Sequence, residues 1–345
     1  MPTIGRFKGI GLHTTIDQAI KDSGVVEGSS LHKHVVGLKS RILQCKSDST
    51  NYKYFGAFKR WERFITAQGF PAVPANSIHI CLYLNSLLTK GSSFAVVSSA
   101  VYAIKWAHSL NGLSDPTTNI FVKNLLEASK RIAKKPVCKK DSVTSGILIR
   151  LCDIFSESSD LLVVRDLTMI LLSFSGFLRY NELSNLHCSD VKLSESYFTL
   201  VVRKSKTDQY RFGSEIVISK GETTACPYDM LMKYIRIARI DIESDDFLFK
   251  PIYRSGSVCG LIHKNKPLSY TGAKEAILKR LNFVSEGKNF GLHSLRSGGA
   301  SMAANNGVND RCFKRHGRWR SESSKDGYIA DSIERRLNVT QKLGI

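Results

Sequence analysis

The sequence predicts a mainly α-helical protein of two domains, an all-helical N-terminal one and a mixed, mostly helical C-terminal one carrying a small β-hairpin. Three observations predict it. The chain has 345 residues, 42% of them hydrophobic, which is more than one ordinary core needs and comfortable for two. From Leu31 to Ala133 apolar residues recur at three- and four-residue steps, the period of a helix with one buried face. Runs of strand character are few, and two of them flank one short basic segment.

Residues 1–30 are rich in Gly, Ser and Thr without a sustained period, and are expected to be a loosely ordered tail. Residues 31–133 form the first domain. Tyr54, Phe55, Phe58, Trp61, Phe64 and Ile65 make one helix face, broken at Gly69-Phe-Pro71 and Pro74. Helices are then expected over Ser77–Leu88, Val96–Leu110 and Ile120–Ala133, separated by Gly91-Ser-Ser and Asp115-Pro116. A basic linker follows over 134–141, where Pro136 stops the helix. The second domain spans 142–345. Ile147–Phe155 and Leu161–Phe177 read as helices, Tyr197–Val202 and Gly213–Ile218 as paired strands, and Pro227–Ile240 and Leu268–Asn282 as helices again. The apolar run Leu161–Leu178 contains Arg165 and Asp166, and a charge inside a membrane span costs several kcal/mol, so a buried core helix is expected.

The formal net charge is +20, an excess that suits a polyanionic partner because neutralising phosphates releases counterions. The charge is clustered. Lys130, Arg131, Lys134, Lys135, Lys139 and Lys140 surround the linker, and Arg311, Lys314, Arg315, Arg318 and Arg320 crowd the C-terminal region. Duplex DNA gripped by both domains is the expected partner, with affinity falling steeply in salt. The eight cysteines are scattered singly, as in a protein of a reducing compartment, and no zinc-like spacing is present. His32-x-His34 has no further ligand types nearby, so neither metal nor cofactor is expected. No signal-peptide core is seen at the N-terminus, and an intracellular protein without membrane attachment is expected.

The chemistry is concentrated late in the chain, in His293-Ser-Leu-Arg296, Gly317-Arg318-Trp319 and Tyr328. Cleaving a phosphodiester with a tyrosine requires a phenol of pKa about 10 to lose its proton as it attacks. Charge then gathers on the non-bridging oxygens, where preorganised cationic donors stabilise it. Arginine suits that task through its planar fork, and the leaving oxygen needs a general acid. His293 and Arg296 are three apart and share a helix face. Trp319 offers an indole N–H. Arg179 ends the long apolar helix with Glu182 three residues on, and a lysine at the hairpin tip can reach into a groove.

This constellation resembles the tyrosine recombinases of the phage integrase, Xer and Cre type. Gly-Phe-Leu-Arg179-x-x-Glu182-Leu is similar to the family's first arginine motif, and His293-x-x-Arg296 followed by Gly298-Gly299-Ala300 to its second. Family members carry His or Trp nine positions before the nucleophile. Trp319 stands nine before Tyr328, which ranks it above His316 as the paired residue. Gly-Arg-Trp-x-Ser resembles the Crypton and DIRS-type mobile elements of eukaryotes and viruses.

The resemblance implies that Arg179 and Arg296 clamp the scissile phosphate. His293 would bond it and assist proton transfer, and Trp319 would donate to a non-bridging oxygen. Lys206, preferred over Lys204 and Arg203, would protonate the 5′ leaving oxygen. Tyr328 would form a 3′-phosphotyrosine, and Glu182 would orient Arg179. It also implies a C-shaped clamp on DNA, dimer-to-tetramer assembly through a tail helix bearing Ile329, Ile333, Leu337 and Leu343, and a nuclear location in a eukaryotic host. A type IB topoisomerase, or a DNA-binding protein that has lost catalysis, are the alternatives.

Overall fold

The computed structural model describes residues 12–133, 139–155, 157–203, 213–256 and 258–343. The chain divides into two compact units, residues 1–137 and 138–345.

The N-terminal unit is all helical: α1 (Leu12–Asp22), α2 (Leu38–Leu43), α3 (Asp48–Thr66), α4 (Ser77–Thr89), α5 (Phe94–Leu110) and α6 (Ile120–Ile132). Helix starts are set by side-chain caps. Ser47 accepts from the Thr50 N–H, Asn76 from that of Ile78 and Asn119 from that of Phe121. The face expected on α3 is the one that is buried. Phe58, Trp61 and Ile65 pack with Ile80, Leu84, Val97 and Ile104 in a single core. Trp61 is fully buried, and its indole N–H reaches the Ala72 carbonyl at 3.0 Å, so truncating it costs about 3–5 kcal/mol. One expectation is corrected. The segment read as a loose tail is helical over Leu12–Asp22, and Ile16 joins the core, because its few apolar residues are spaced for one face.

The C-terminal unit is built around one nearly all-buried helix. Its order is α7 (Ser145–Phe155), α8 (Leu161–Ser175), α9 (Tyr180–Ser184), β1 (Val191–Leu193), β2 (Tyr197–Val202), β3 (Ser214–Ser219), α10 (Pro227–Ala238), β4 (Ile252–Ser255), β5 (Val258–Leu261), α11 (Tyr270–Val284), α12 (Leu292–Asn305), α13 (Asp310–Gly317), α14 (Glu322–Asp326) and α15 (Ile333–Gln341). Helix α8 is buried on nearly every side, its apolar run interrupted by Arg165 and Asp166, because α7, α10, α11 and α12 all pack on it. None of the helices among the described residues is long and apolar enough to cross a membrane.

β1, β2 and β3 form an antiparallel sheet in that order, with Phe198 opposite Ile218 and Leu200 opposite Ile216. Those four side chains are buried, and the intervening residues of β3 face solvent, the period-two pattern of a half-covered sheet. The tip of this hairpin, with Lys204 and Lys206, lies outside the described residues, as do Lys134 and Lys135 of the linker. Sequence periodicity did not reveal the β4–β5 hairpin, whose strands are short and expose more than they bury.

Two features position the site. Helix α8 stops at Ser175, two residues short of the expected Phe177, because Phe177 takes a left-handed conformation at φ 47° and turns the chain toward Arg179. Gly298 brings α12 against the backbone ahead of α7, where a methyl group would overlap the Val143 carbonyl.

Candidate active site

Arg179 is the N-cap residue of α9. Its backbone N–H bonds Glu182 Oε2 at 2.9 Å, and its Nη1 bonds Glu182 Oε1 at 2.7 Å. Glu182 is buried and so becomes the hub of a charge cluster. Arg318 donates to Oε2 at 2.8 Å, and Arg296 Nη1 stands 3.7 Å from the same oxygen. Burial pushes the Glu182 carboxyl up, but Arg318, the Arg179 N–H and the charges of Arg179 and Arg296 together hold it below its ordinary value. One carboxylate thus organises three guanidinium groups from three separate elements.

Arg296, on the second turn of α12, has 0% exposure. It donates to the carbonyls of Phe177 and, at 2.7 Å, Gly317. Its guanidinium lies 4.9 Å from the Trp319 ring centroid and 4.8 Å from that of Tyr328. Burial and the neighbouring Arg179 push it down to about 10, with Glu182 pulling the other way, so it stays charged at neutral pH.

Trp319 packs against Phe177, Phe313 and Tyr328 at centroid distances of 6.0, 5.0 and 5.7 Å. Gly317 makes room for it, since a methyl there would overlap the indole. The His293 ring lies 6.4 Å from the Tyr328 ring. His293, Arg296, Trp319 and Tyr328 are therefore gathered in one place, with Arg179 joined to them through Glu182. Arg296 Nε and Trp319 Nε1 are both buried with no hydrogen-bond partner among the described residues. Two aimed N–H groups of this kind are costly unless an acceptor arrives.

His316 is set apart from this group. Its Nε2 donates to the Ser175 carbonyl at 2.7 Å, and its ring meets Phe177 edge-on at 4.7 Å, so it closes the end of α8. Burial lowers its pKa, the Ser175 bond opposes that, and the Arg318 and Arg296 charges add to it. The nine-residue step and the packing agree in placing Trp319, not His316, beside Tyr328.

Arg318 is a correction. Read from sequence as one of the clustered DNA-binding residues, it is buried. A left-handed backbone at φ 55° turns its side chain inward, where it donates to the carbonyls of Gly176 at 3.1 Å, Phe177 at 2.9 Å and His316 at 2.6 Å. Its neighbours Arg315 and Arg320 are exposed, as is Arg311, while Lys314 is half-buried and paired with Glu322. Lys130, Arg131, Lys139 and Lys140 are exposed, Lys130 pairing with Glu127 and Lys140 bonding the Asn289 side chain.

Several contributors went unread in the sequence. Ser301 and Asn305, four apart on one face of α12, tie down the segment that carries Tyr328. The Ser301 hydroxyl donates to the Tyr328 carbonyl at 3.3 Å and accepts from the Ala330 N–H at 2.9 Å. The Asn305 amide donates to the Ala330 carbonyl at 3.0 Å. Their spacing after Arg296 was the available signal. Beside His293 a cleft is lined by Lys140, Tyr270, Lys274, Lys288 and Asn289. Among the described residues no group of three His, Cys, Asp or Glu side chains is placed to hold a metal ion.

The sequence profile described as the phage integrase family matches residues 148–335, more than half of the chain and the whole of the cluster just described. The chain belongs to the phage integrase family. It is a site-specific tyrosine recombinase, an enzyme that breaks and rejoins DNA. An integrase/recombinase XerD homolog of Selenomonas ruminantium is 26% identical over 296 residues, covering 84% of each chain. In fold the chain is similar to the XerH site-specific recombinase bound to a palindromic difH substrate, with 16% identity, a TM-score of 0.57 and coverage of 85% of this chain and 77% of that one. It is also similar to a lambda integrase tetramer bound to a Holliday junction, with 16% identity, a TM-score of 0.52 and coverage of 93% and 77% respectively. The helical N-terminal domain followed by a mixed catalytic domain is the fold of these recombinases.

Proposed function

We propose that this phage integrase family member cleaves each strand with Tyr328, within its own protomer's pocket, and that the step runs as follows. The Tyr328 oxygen attacks the scissile phosphorus, forming the 3′-phosphotyrosine bond as the bond from phosphorus to the 5′ oxygen breaks. His293 assists removal of the phenol proton, and Lys206 protonates the leaving 5′ oxygen. Rejoining is the reverse, with a 5′ hydroxyl attacking the phosphotyrosine. The phosphotyrosine conserves the energy of the broken bond, so ATP is not consumed. Arg179 and Arg296 hold the non-bridging oxygens, and the Trp319 indole donates to one of them.

The observation that carries this reading is the stack of the Arg296 guanidinium against both Trp319 and Tyr328, with Arg296 Nε and Trp319 Nε1 buried and unpartnered among the described residues. An anionic acceptor would satisfy both groups at once. Because the Tyr328 ring covers Arg296, rotation of that one side chain both uncovers the guanidinium and carries the phenol oxygen toward the phosphorus. Lys206 enters from the sequence resemblance, and Glu182 acts by orienting Arg179.

The substrate is duplex DNA, tracked by the exposed Arg311, Arg315, Arg320, Lys139 and Lys140 together with Lys274 and Lys288 of the cleft beside His293. Assembly on DNA proceeds from dimer to tetramer, supported by the tetrameric lambda integrase relative and by α15. That helix buries none of its residues, and Ile333, Leu337 and Leu343 remain exposed. The Gly-Arg-Trp motif supports a mobile-element recombinase of eukaryotic or viral type, acting in integration or excision, in the nucleus of a eukaryotic host.

The test is to trap the adduct on a nicked suicide duplex. The wild-type protein is expected to give a covalent band whose DNA-linked peptide contains Tyr328. Tyr328→Phe is expected to bind the duplex and give no band. An adduct that persists in Tyr328→Phe overturns the assignment. Adduct formation rescued by mixing Tyr328→Phe with an Arg296→Lys protein overturns attack within one protomer.

A further inference from the structure

Arg318 is not needed by any step above, yet it is buried against the carboxylate that organises the clamp. Glu182 has two oxygens. Oε1 takes the Arg179 side chain at 2.7 Å, and Oε2 takes the Arg179 backbone N–H at 2.9 Å and Arg318 at 2.8 Å. Arg296 stands at 3.7 Å from Oε2, beyond hydrogen-bond range, although it is the arginine stacked on Tyr328. Both Arg296 and Arg318 also donate to the Phe177 carbonyl, so they share one wall. Without Arg318, Oε2 would keep only the Arg179 N–H, and its unfilled lone pair would lie beside the Arg296 guanidinium, so that the two would pair.

Resting on the reading of Arg296 as a phosphate clamp, we propose that Arg318 is a positioning residue: it saturates Glu182 Oε2, prevents that carboxylate from capturing Arg296, and so keeps Arg296 directed at the scissile phosphate. The cluster also carries a charge logic. Three guanidinium groups and one carboxylate leave an excess of positive charge where a phosphodiester, and then a more highly charged transition state, must sit. Arg318 offsets the carboxylate, so Arg179 and Arg296 are free to face the anion.

The inference predicts an inversion of sign that simple loss of packing does not give. In the wild-type chain Glu182→Gln slows cleavage because Arg179 loses its holder. In an Arg318→Met chain Glu182→Gln speeds cleavage because the trap for Arg296 is gone. Single-turnover cleavage of a nicked suicide duplex at saturating protein reads this directly, with duplex affinity and melting temperature measured in parallel. Arg318→Met is expected to slow cleavage about 100-fold, the scale of a misplaced catalytic group, with duplex affinity within about two-fold. Adding Glu182→Gln is expected to recover about ten-fold of that loss.

A double variant no faster than Arg318→Met overturns the proposal, as does an Arg318→Met protein that cleaves at the wild-type rate. Where Arg318→Met does not fold, Arg318→Lys carries the same test, since a lysine cannot fork between Oε2 and the Gly176 and Phe177 carbonyls. Slowing with rescue by Glu182→Gln supports the inference, and slowing without rescue overturns it. A wild-type adduct at Tyr328 together with failed rescue rejects this inference alone. Absence of that wild-type adduct rejects the underlying reading of the site.

Discussion

Two buried arginine clusters in the C-terminal unit differ in one respect that separates scaffold from site. In the first, Arg165 and Arg280 flank Asp166 at 2.8 and 3.3 Å, Arg165 also reaches the Lys250 carbonyl, and Phe155 covers Arg280 at 5.2 Å. In the second, Glu182 serves Arg179, Arg296 and Arg318, and buried N–H groups, Arg296 Nε and Trp319 Nε1 among them, have no hydrogen-bond partner among the described residues. Burial raises the Asp166 carboxyl even against its two arginines, whereas three guanidiniums hold Glu182 down despite burial. The first cluster is closed, and it joins α8 to α11. The second is left open on the side of Tyr328. A buried arginine therefore indicates a function here only where its hydrogen-bonding capacity is unfilled and a reactive group lies against it.

This contrast can be broken at either end. The largest effect is expected at the closed cluster. Asp166→Asn strands two buried guanidiniums and is expected to destabilise the C-terminal unit by about 3–5 kcal/mol in denaturant unfolding, with the cleavage rate of the folded protein unchanged. Slowed cleavage without lost stability would show that the closed cluster also serves the reaction.

At the open cluster, Arg296→Lys is expected to slow cleavage about 10²–10³-fold, close to 3–4 kcal/mol, as measured on a suicide duplex at a temperature where the variant remains folded. Near-wild-type cleavage would reverse the distinction.

The smallest effect sharpens the border between the clusters and concerns His316. Its folded pKa lies below the ordinary histidine value of 6.5, with burial the largest cause. The neutral form is the one the fold prefers, so the unfolded chain binds the extra proton. The stability it contributes is present above 6.5 and is lost as pH falls through the depressed value. The melting temperature of His316→Gln should accordingly fall less on acidification from neutral pH than that of the wild type. Equal slopes would detach His316 from the closure of α8.

Much of this was legible before any coordinates. The helical face of Phe58, Trp61 and Ile65 and the alternation of Phe198 and Leu200 are local periodicities, and each reappears as a buried face. The nine-residue step from Trp319 to Tyr328 came from the resemblance to the tyrosine recombinases, and the indole does lie beside the phenol. Helix α1 was missed because its short apolar stripe, with Ile16 and Ile20 four apart, is flanked on both sides by Gly- and Ser-rich segments that dominate residues 1–30. Ser301 and Asn305 were missed because a hydroxyl and an amide on a helix have many commoner uses than anchoring a catalytic segment.

The sequence by itself determined the fold class and the residue types of the chemistry, because these rest on spacing along one chain, and its resemblance to the tyrosine recombinases supplied the pairing of Trp319 with Tyr328. Only the tertiary structure decided which of the clustered arginines is a surface contact and which a buried strut. Arg318 and Arg320 look alike in a row of basic residues. One turns inward because a left-handed backbone at 318 aims it at a carboxylate 136 residues away, and the other stays in solvent. A guanidinium can enter a core only where a distant acid and spare carbonyls meet it, and the fold alone brings those together.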